Sequence, residues 1–407
     1  MKKTKLAYMV SHPIQYQAPL LRYITENSNI ELTALFMSDF SVREYHDKEF
    51  GTTFQWDVPL LEGYKHQFLP VVGSRDSIEN PKPFVPGMKR ILMEGGFDAL
   101  WTHGYAHQNT LRALLSARSL GIKTMVRAES QWGSAAGTGL KRQLKNSYLK
   151  KLFGKIDSFL CIGSANKDYY RSFGVEDERL FLVPYAVDNQ AFQAKDEAAQ
   201  AELPAFLAKH NISPDQPVIL YASKLTKRKR IMDLCYAYDL MMAKHTSGPK
   251  PVLMIVGDGE MRPELEAWMA EKSYDSVRFL GFQNQSQLPV IFAATSIFVL
   301  ASEREPWGLV VNEVMNAKVP VLVSHEVGSH FDLVEEGKTG FVIQTGDIEA
   351  TADRLSKVCY DSALQKKMGQ LALEKVSQWG YAEDLAGIES ALNYLGFPGH
   401  SGLAKAG

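Results

Sequence analysis

The sequence predicts an α/β protein built from two doubly wound, mostly parallel sheets, and three observations carry that expectation. Short apolar runs of strand type alternate with helical patterns almost throughout, the alternation comes as two series, and a polar, helix-prone stretch separates the series. A length of 407 residues and a hydrophobic fraction of 45% suffice for two cores.

Strands of the first series are expected at Leu6–Val10, Glu31–Phe36, Ala99–Trp101, Lys123–Val126, Ser158–Cys161 and Phe181–Val183. The second series is expected at Val218–Tyr221, Val252–Val256, Val277–Phe279, Ile297–Leu300, Val319–Val323 and Phe341–Ile343. Between them, the polar Lys195–Glu202 and the Pro-containing connection Asn211–Pro217 put a boundary near 190–212. Domains of 1–195 and 210–378 follow, with no solenoid repeat and no low-complexity tract.

Composition excludes several function classes. With 45 basic and 46 acidic side chains the formal charge is −1, which is no electrostatic footprint for nucleic acid. Cys161, Cys235 and Cys359 lie far apart without metal-ligand spacing, and read as buried thiols of a reducing compartment. No signal-peptide core and no apolar run of membrane-spanning length occurs, so a cytoplasmic protein is expected.

The most informative stretch surrounds Glu305. Phe298–Ala301 is an apolar strand, Pro306 and Gly308 interrupt it, and Leu309, Val310, Val314 and Ala317 recur at helical spacing. Glu305 is thereby expected on a loop and Glu313 about one turn into a helix. The amides of Gly308, Leu309 and Val310 would lie at a helix N-terminus, which favours an anionic diphosphate, and a glycine allows close approach. Two carboxylates beside a phosphate site would repel it, so their targets are neutral hydroxyls: a ribose for Glu313, a sugar ring for Glu305. An ordinary helix start with acids near the positive dipole end accounts for the two glutamates equally well.

Taken whole, Ser302–Ser324 resembles the two-glutamate signature of the retaining GT-B glycosyltransferases of glycosyltransferase family four. Seven residues separate the glutamates, a Gly-Leu-Val core lies between them, and a Pro-Val-x-x-Ser strand follows. Departures occur at Lys318, where the family usually has Gly, and at Val327-Gly328, where Gly-Gly is common. The segment Val218–Leu234 resembles the family's strand, Gly-Arg-Leu, loop and Lys-Gly pattern, with Lys224 in the Arg position and Lys229 in the Lys position. The resemblance implies that these two cations hold the diphosphate, which is physically apt because fixed cations stabilise a departing diphosphate without a metal. Lysine at 224 is a point charge without the bidentate geometry of arginine. Ile255–Leu265, with its Gly-x-Gly turn, and Phe279–Phe282 fall in the family's order, which places Phe282, its main chain more than its ring, beside the nucleobase; core packing of that ring is the alternative.

What the resemblance implies for the whole chain is a GT-B fold: two Rossmann-like domains facing a central cleft, the second binding the donor and the first the acceptor. Val183–Phe192 resembles the stretch that precedes the second domain, and 379–396 the terminal helix that returns to complete the first.

The first domain carries weaker signals. Ser11–Leu20 follows the first strand where many relatives have a Gly-Gly loop, and Ser-His-Pro-Ile-Gln-Tyr looks like a subset of bacterial polysaccharide-assembly enzymes. A loop at the carboxyl end of a parallel strand faces a ligand crevice, so His12, Gln15 and Tyr16 are candidate contacts, with a Pro-containing turn as the alternative. His103 ends another strand and is carried with Glu305, Lys224 and Lys229 as a catalytic candidate, although a lone histidine there is more often structural. Arg127 and Glu129 could orient sugar hydroxyls or pair with each other. The basic helix at 140–155, with Leu140, Leu144, Tyr148 and Leu152 on one side, offers a peripheral contact with the inner membrane face or packs on the sheet.

The resulting expectation is a retaining glycosyltransferase that moves a hexosyl unit from a UDP- or GDP-sugar to a hydroxyl of a glycan or lipid-linked acceptor. No cofactor is expected, and no metal, since no Asp-x-Asp motif occurs. No residue pair looks like an activated nucleophile with its base. The implied mechanism has the acceptor attack from the face the diphosphate leaves, a phosphate oxygen taking the proton. Two alternatives keep the fold: a sugar-nucleotide epimerase, which needs no acceptor, and an inactive nucleotide-sugar-binding protein.

Overall fold

The computed structural model describes residues 3–47, 49, 51–76, 78–131 and 139–399. The chain divides into two units, one of Met1–Tyr45, Val58–Ala186 and Gly380–Gly407, the other of His46–Asp57 and Val187–Trp379.

Fifteen strands are described. They are β1 (Thr4–Val10), β2 (Ile30–Phe36), β3 (Tyr45–Asp47), β4 (Thr52–Phe54), β5 (Lys65–Phe68), β6 (Ala99–His103), β7 (Lys123–Arg127), β8 (Ser158–Cys161), β9 (Leu180–Leu182), β10 (Val218–Ala222), β11 (Val252–Val256), β12 (Val277–Gly281), β13 (Ile297–Leu300), β14 (Val321–Ser324) and β15 (Gly340–Ile343). The first unit holds a seven-stranded sheet in the order β5-β2-β1-β6-β7-β8-β9. A six-stranded sheet in the order β12-β11-β10-β13-β14-β15 forms the second. All the strand pairs of both sheets run parallel.

Parallel strands must be covered on both faces, which is why they read as unbroken apolar runs. Every residue of β10, β11, β13 and β14 is buried, and Tyr8, Trp101, Phe159, Tyr221 and Phe298 fill the interior. The two-stranded β3-β4 pair and the edge strand β5 were not expected. Lys65, His66 and Gln67 of β5 are exposed, so the strand carries no apolar alternation to announce it.

Helix Asn189–Lys209, which spans the expected boundary, packs within the second unit on Leu288–Ala293 and Val310–Asn316. The terminal helix Tyr381–Tyr394 belongs to the first unit, against β8, β9 and helix Gln17–Asn27. Gly387 makes this seating close: a Cβ there would stand 1.9 Å from the Leu182 carbonyl oxygen. The basic helix runs Leu140–Phe153, but its inward face is Leu149, Leu152 and Phe153, whereas Leu144 is 64% and Tyr148 50% exposed. The single apolar side expected of it is corrected accordingly: at 3.6 residues per turn, 144 and 148 stay on one line, while 149, 152 and 153 rotate onto the sheet. The three cysteines are buried free thiols, and burial pushes Cys161 and Cys359 up to about 12.

One buried ion pair ties the terminal helix to the sheet. Arg127, 1% exposed, donates to Asp384 Oδ1 at 2.9 Å, to the Val183 carbonyl at 3.0 Å and to that of Pro184. Burial raises the Asp384 carboxyl to about 7, against the pull of the Arg127 charge. Breaking such a pair leaves one charge stranded in the interior, whereas removing both does not. Asp384→Asn is therefore expected to lower unfolding stability by about 3–5 kcal/mol. The double variant Arg127→Met, Asp384→Leu should recover most of that loss in chemical denaturation, and a double variant as unstable as the single would refute this account.

Candidate functional site

In the second sheet the strand order reverses between β10 and β13, so the chain leaving these two neighbours passes to opposite faces and opens a crevice at their carboxyl ends. The two most informative sequence segments meet there. After β10, the 3-10 turn Lys227–Lys229 precedes helix Ile231–Ala243, and after β13 a loop leads to helix Val310–Asn316. The loops are joined by the amide of Glu303 donating to the Arg228 carbonyl at 2.9 Å, and by Arg228 Nη1 donating to the Arg304 carbonyl at 3.3 Å. Lys229 Nζ bonds Glu305 Oε2, with Arg228 Nη1 3.8 Å from the same oxygen. Burial holds the Lys229 ammonium below the usual lysine range, while Glu305 pulls the other way.

Glu305 is fixed through its backbone as well. Its amide donates to Glu326 at 3.1 Å and its carbonyl accepts from Gly328 at 2.9 Å, so the loop after β14 clamps it. Trp307 anchors the next residue pair: its indole N–H donates to Asn312 Oδ1 at 2.9 Å, and its ring stacks on Trp379 with centroids 5.6 Å apart. Gly308 has φ +87°, and a Cβ would meet Leu300 Cδ2 at 3.0 Å and Val327 Cγ1 at 3.3 Å. Leu309 caps the helix whose first turn carries Glu313, 2% exposed. Glu305, Lys229, Gly308, Leu309, Val310 and Glu313 thus belong to two loops and one helix start at a single switch point.

The departures at 318 and 327 have local reasons. Lys318 holds the left-handed conformation at φ +58°, which glycine takes without strain. Val327 is fully buried, its methyl filling the space beside Gly308. The Gly257-x-Gly259 turn after β11 is a close approach of backbones: a Cβ on Gly257 would stand 1.9 Å from the Ser223 oxygen, and one on Gly259 2.8 Å from those of Leu225 and Glu49. Lys224 Nζ lies 3.1 Å from Asp47 Oδ2 and 2.8 Å from Glu49 Oε2. Phe282, after β12, stacks face to face on Phe54 with centroids 4.4 Å apart.

In the first sheet the order reverses between β1 and β6, and the candidates of that unit end or follow these strands and their neighbour β7. His12 accepts or donates at Nδ1 to Ser11 Oγ, 2.8 Å away, and its ring lies 4.3 Å from that of Phe40. Burial lowers its pKa to about 4, so it is neutral at pH 7. Gln15 and Tyr16 are half-buried at the start of helix Gln17–Asn27, which Tyr16 caps. Arg127 does not bond Glu129; its buried guanidinium donates through Nη2 to Asp384 and two carbonyls. That corrects its reading as a sugar contact: it is the positive partner of a buried ion pair that holds the terminal helix.

A residue that sequence reading missed organises this cluster. Tyr185, just beyond β9, donates to Glu129 Oε1 at 2.5 Å and lies 3.0 Å from His103 Nε2. A phenol has one proton, so with it on Glu129 the His103 Nε2–H is the donor to Tyr185. Partial burial acts to raise the Glu129 carboxyl, but the nearby His103 ring, the bond from Tyr185 and the Arg127 charge hold it below the usual range. The Arg127 guanidinium also lies over the Tyr185 ring, 4.7 Å from its centre. Only the position of Tyr185 in Val183–Phe192 could have pointed to it, since a lone tyrosine after an apolar strand carries no signature.

Two parallel sheets with these loops define an α/β fold of GT-B type. The chain matches the family model described as "Glycosyltransferase Family 4" over residues 48–191 and that described as "Glycosyl transferases group 1" over 204–375. Among curated relatives, the alpha-D-kanosaminyltransferase of Streptomyces kanamyceticus is 28% identical over 229 residues, 55% of this chain and 57% of that protein. The N-acetyl-alpha-D-glucosaminyl L-malate synthase of Bacillus anthracis is 27% identical over 56% of this chain and 54% of its own. The match thus spans about half the length of these relatives, whereas the putative glycosyltransferase EpsD of Bacillus subtilis, 27% identical, is covered over 94%. A glycosyltransferase structure from Rickettsia africae has a TM-score of 0.72 at 14% identity, covering 97% of this chain and 99% of that one. Anabaena HepE, solved in complex with UDP, has a TM-score of 0.70 at 16% identity, covering 96% and 99%. At these identities the structures speak for the fold. The chain is thus similar to glycosyltransferases of the group 1 and family 4 type over the residues these models match.

Backbone geometry at the site has opposite consequences at two positions. Gly308→Ala should cost about 1–3 kcal/mol, from a left-handed φ and a crowded Cβ, whereas Lys318→Gly should gain about 1 kcal/mol by relieving the same conformation. Thermal denaturation reads both, and a stabilised Gly308→Ala protein would contradict the geometry.

Proposed function

We propose that this chain is a retaining glycosyltransferase that transfers a hexosyl unit from a UDP- or GDP-sugar to a hydroxyl of a glycan or glycolipid. The observation that carries the reading is the pairing of Lys229 with Glu305 at the β10/β13 switch point, beside Gly308 and the helix bearing Glu313. On this reading the ammonium groups of Lys224 and Lys229 and the amides after Gly308 receive the leaving diphosphate. Glu305 holds the sugar and Glu313 the ribose through charge-assisted hydrogen bonds.

As the bond from the anomeric carbon to the phosphate oxygen breaks, the acceptor oxygen bonds that carbon from the same face and its proton passes to the departing phosphate. The cations meet the charge that develops, so the step is proposed to need no metal ion. His103, oriented by Tyr185 and Glu129, is placed with the acceptor, near His12, Gln15 and Tyr16. Relatives named for transfer to glycans and lipids, among them an alpha-monoglucosyldiacylglycerol synthase of Acholeplasma laidlawii, support an acceptor of that class. No helix among the described residues is long and apolar enough to cross a membrane. A lipid-linked acceptor would be met by peripheral contact through Leu144 and Tyr148, which stand exposed on the basic helix. We place the protein in the cytoplasm, at the inner membrane face.

A matching nucleoside diphosphate at about 100 times its Kd should stabilise the protein by roughly 2.7 kcal/mol, visible as a rise in Tm. Lys229→Ala and Glu313→Ala are expected to fold and to lose that rise; a full response in both would remove the proposed donor site. With the donor in hand, NMR of the first-formed product should show the donor's anomeric configuration, with turnover unchanged by a chelator. An inverted product would refute the retaining assignment, and loss of turnover that added metal restores would refute metal independence.

A further inference from the structure

Residues 46–57 leave the first unit's sequence and fold with the second: the chain before Tyr45 and after Val58 belongs to one unit, this segment to the other. Its described residues lie along three successive loops at the carboxyl edge of the second sheet. After β10, Lys224 Nζ meets both oxygens of Asp47, at 3.2 and 3.1 Å, and Glu49 Oε2 at 2.8 Å. After β11, the Glu49 carbonyl oxygen lies so close to Gly259 that a Cβ would be 2.8 Å away. After β12, Phe54 stacks on Phe282 at 4.4 Å and 28°, Asn284 Nδ2 donates to the Gln55 carbonyl at 2.8 Å, and the Ser286 amide donates to Asp57 Oδ2 at 3.1 Å. Trp56 stands edge-on to Phe54, ring centres 5.0 Å apart.

The chemistry of the segment copies that of a nucleotide. Two carboxylates sit on the cation assigned to the diphosphate, and an aromatic ring lies flat on the one assigned to the base. An ammonium group already holding two negative charges has little attraction left for a third, and a diphosphate brought beside Asp47 and Glu49 is repelled by both. We propose that the described residues of the segment 46–57 form an internal strap that competes with the donor's nucleoside diphosphate for Lys224 and Phe282, so that the donor binds only as the strap lifts. This rests on the donor-site reading above and adds a gate to it. Because ligand affinity falls in proportion to the fraction of molecules that are open, a strap closed nine times in ten weakens binding roughly tenfold.

Calorimetric titration of UDP and GDP, with uridine and guanosine as phosphate-free controls, tests the gate on the full chain and on the double variant Asp47→Asn, Glu49→Gln. The variant should bind the matching diphosphate roughly tenfold tighter, and the nucleoside, which also needs Phe282 uncovered, should gain in the same direction; a gain confined to the diphosphate would reduce the effect to charge and overturn the gate. Hydrogen exchange of the unaltered protein gives a second readout independent of any substitution: amides of 46–57 should exchange faster once nucleotide is bound. Equal or weaker diphosphate binding by the variant, or slower exchange of the segment with nucleotide, would overturn the strap and make it a lid that closes over ligand. Absence of binding in both proteins would instead remove the donor site, and the strap's role with it.

Discussion

Parallel pairing throughout both sheets is the constraint on which everything else depends. It sends every strand's carboxyl end to one edge, so each βα loop emerges on the same side, and a crevice opens where the strand order reverses. In the second sheet that point lies between β10 and β13, and the chemistry gathers on the loops after them: Lys224 and Lys229 on one, Glu305 and Gly308 on the other. The Lys229–Glu305 pair then acts as a clasp, and because the amide and carbonyl of Glu305 are tied to the loop after β14, three loops share one geometry. A side chain held by so many backbone contacts has little freedom to relax around a ligand, which is the condition for preorganised electrostatics.

Legibility in the sequence followed the same logic. The strands of the two sheets announced themselves because burial on both faces demands uninterrupted apolar residues, as in Val252–Val256 and Ile297–Leu300. β5 did not, since only Phe68 of its four residues turns away from solvent. The loop around Glu305 was readable because glycine, proline and two acids at fixed spacing leave few conformations open. Arg127 was misread for an instructive reason: the residue that neutralises it is Asp384, 257 positions away, and no local pattern can reveal a partner that distant. Tyr185 was missed because its meaning lies in two hydrogen bonds to other strands' ends.

Substitutions that look like losses from a family pattern are accommodated in place. Lys318 takes a glycine's backbone conformation at the end of the helix bearing Glu313, and its carbonyl packs on Gly369, where a Cβ would stand 2.0 Å away. Val327 supplies a buried methyl where a second glycine would leave space, and in doing so it presses on Gly308. Lys224, a point charge, can turn toward Asp47 and Glu49 in a way that a forked guanidinium, committed to two parallel bonds, would resist.

The distance in sequence between Arg127 and Asp384 also bears on the order in which the molecule is made. A ribosome adds about 5–20 residues per second, so the guanidinium waits for tens of seconds before its counter-charge is synthesised. Throughout that interval β8 and β9 lack the helix Tyr381–Tyr394, and the apolar surface that Leu385, Ile388 and Leu392 will cover stays open. The amino-terminal sheet is thus first to be translated yet last to be sealed, and the nascent chain carries an uncovered flank that chaperones, or a neighbouring copy's terminal helix, can reach.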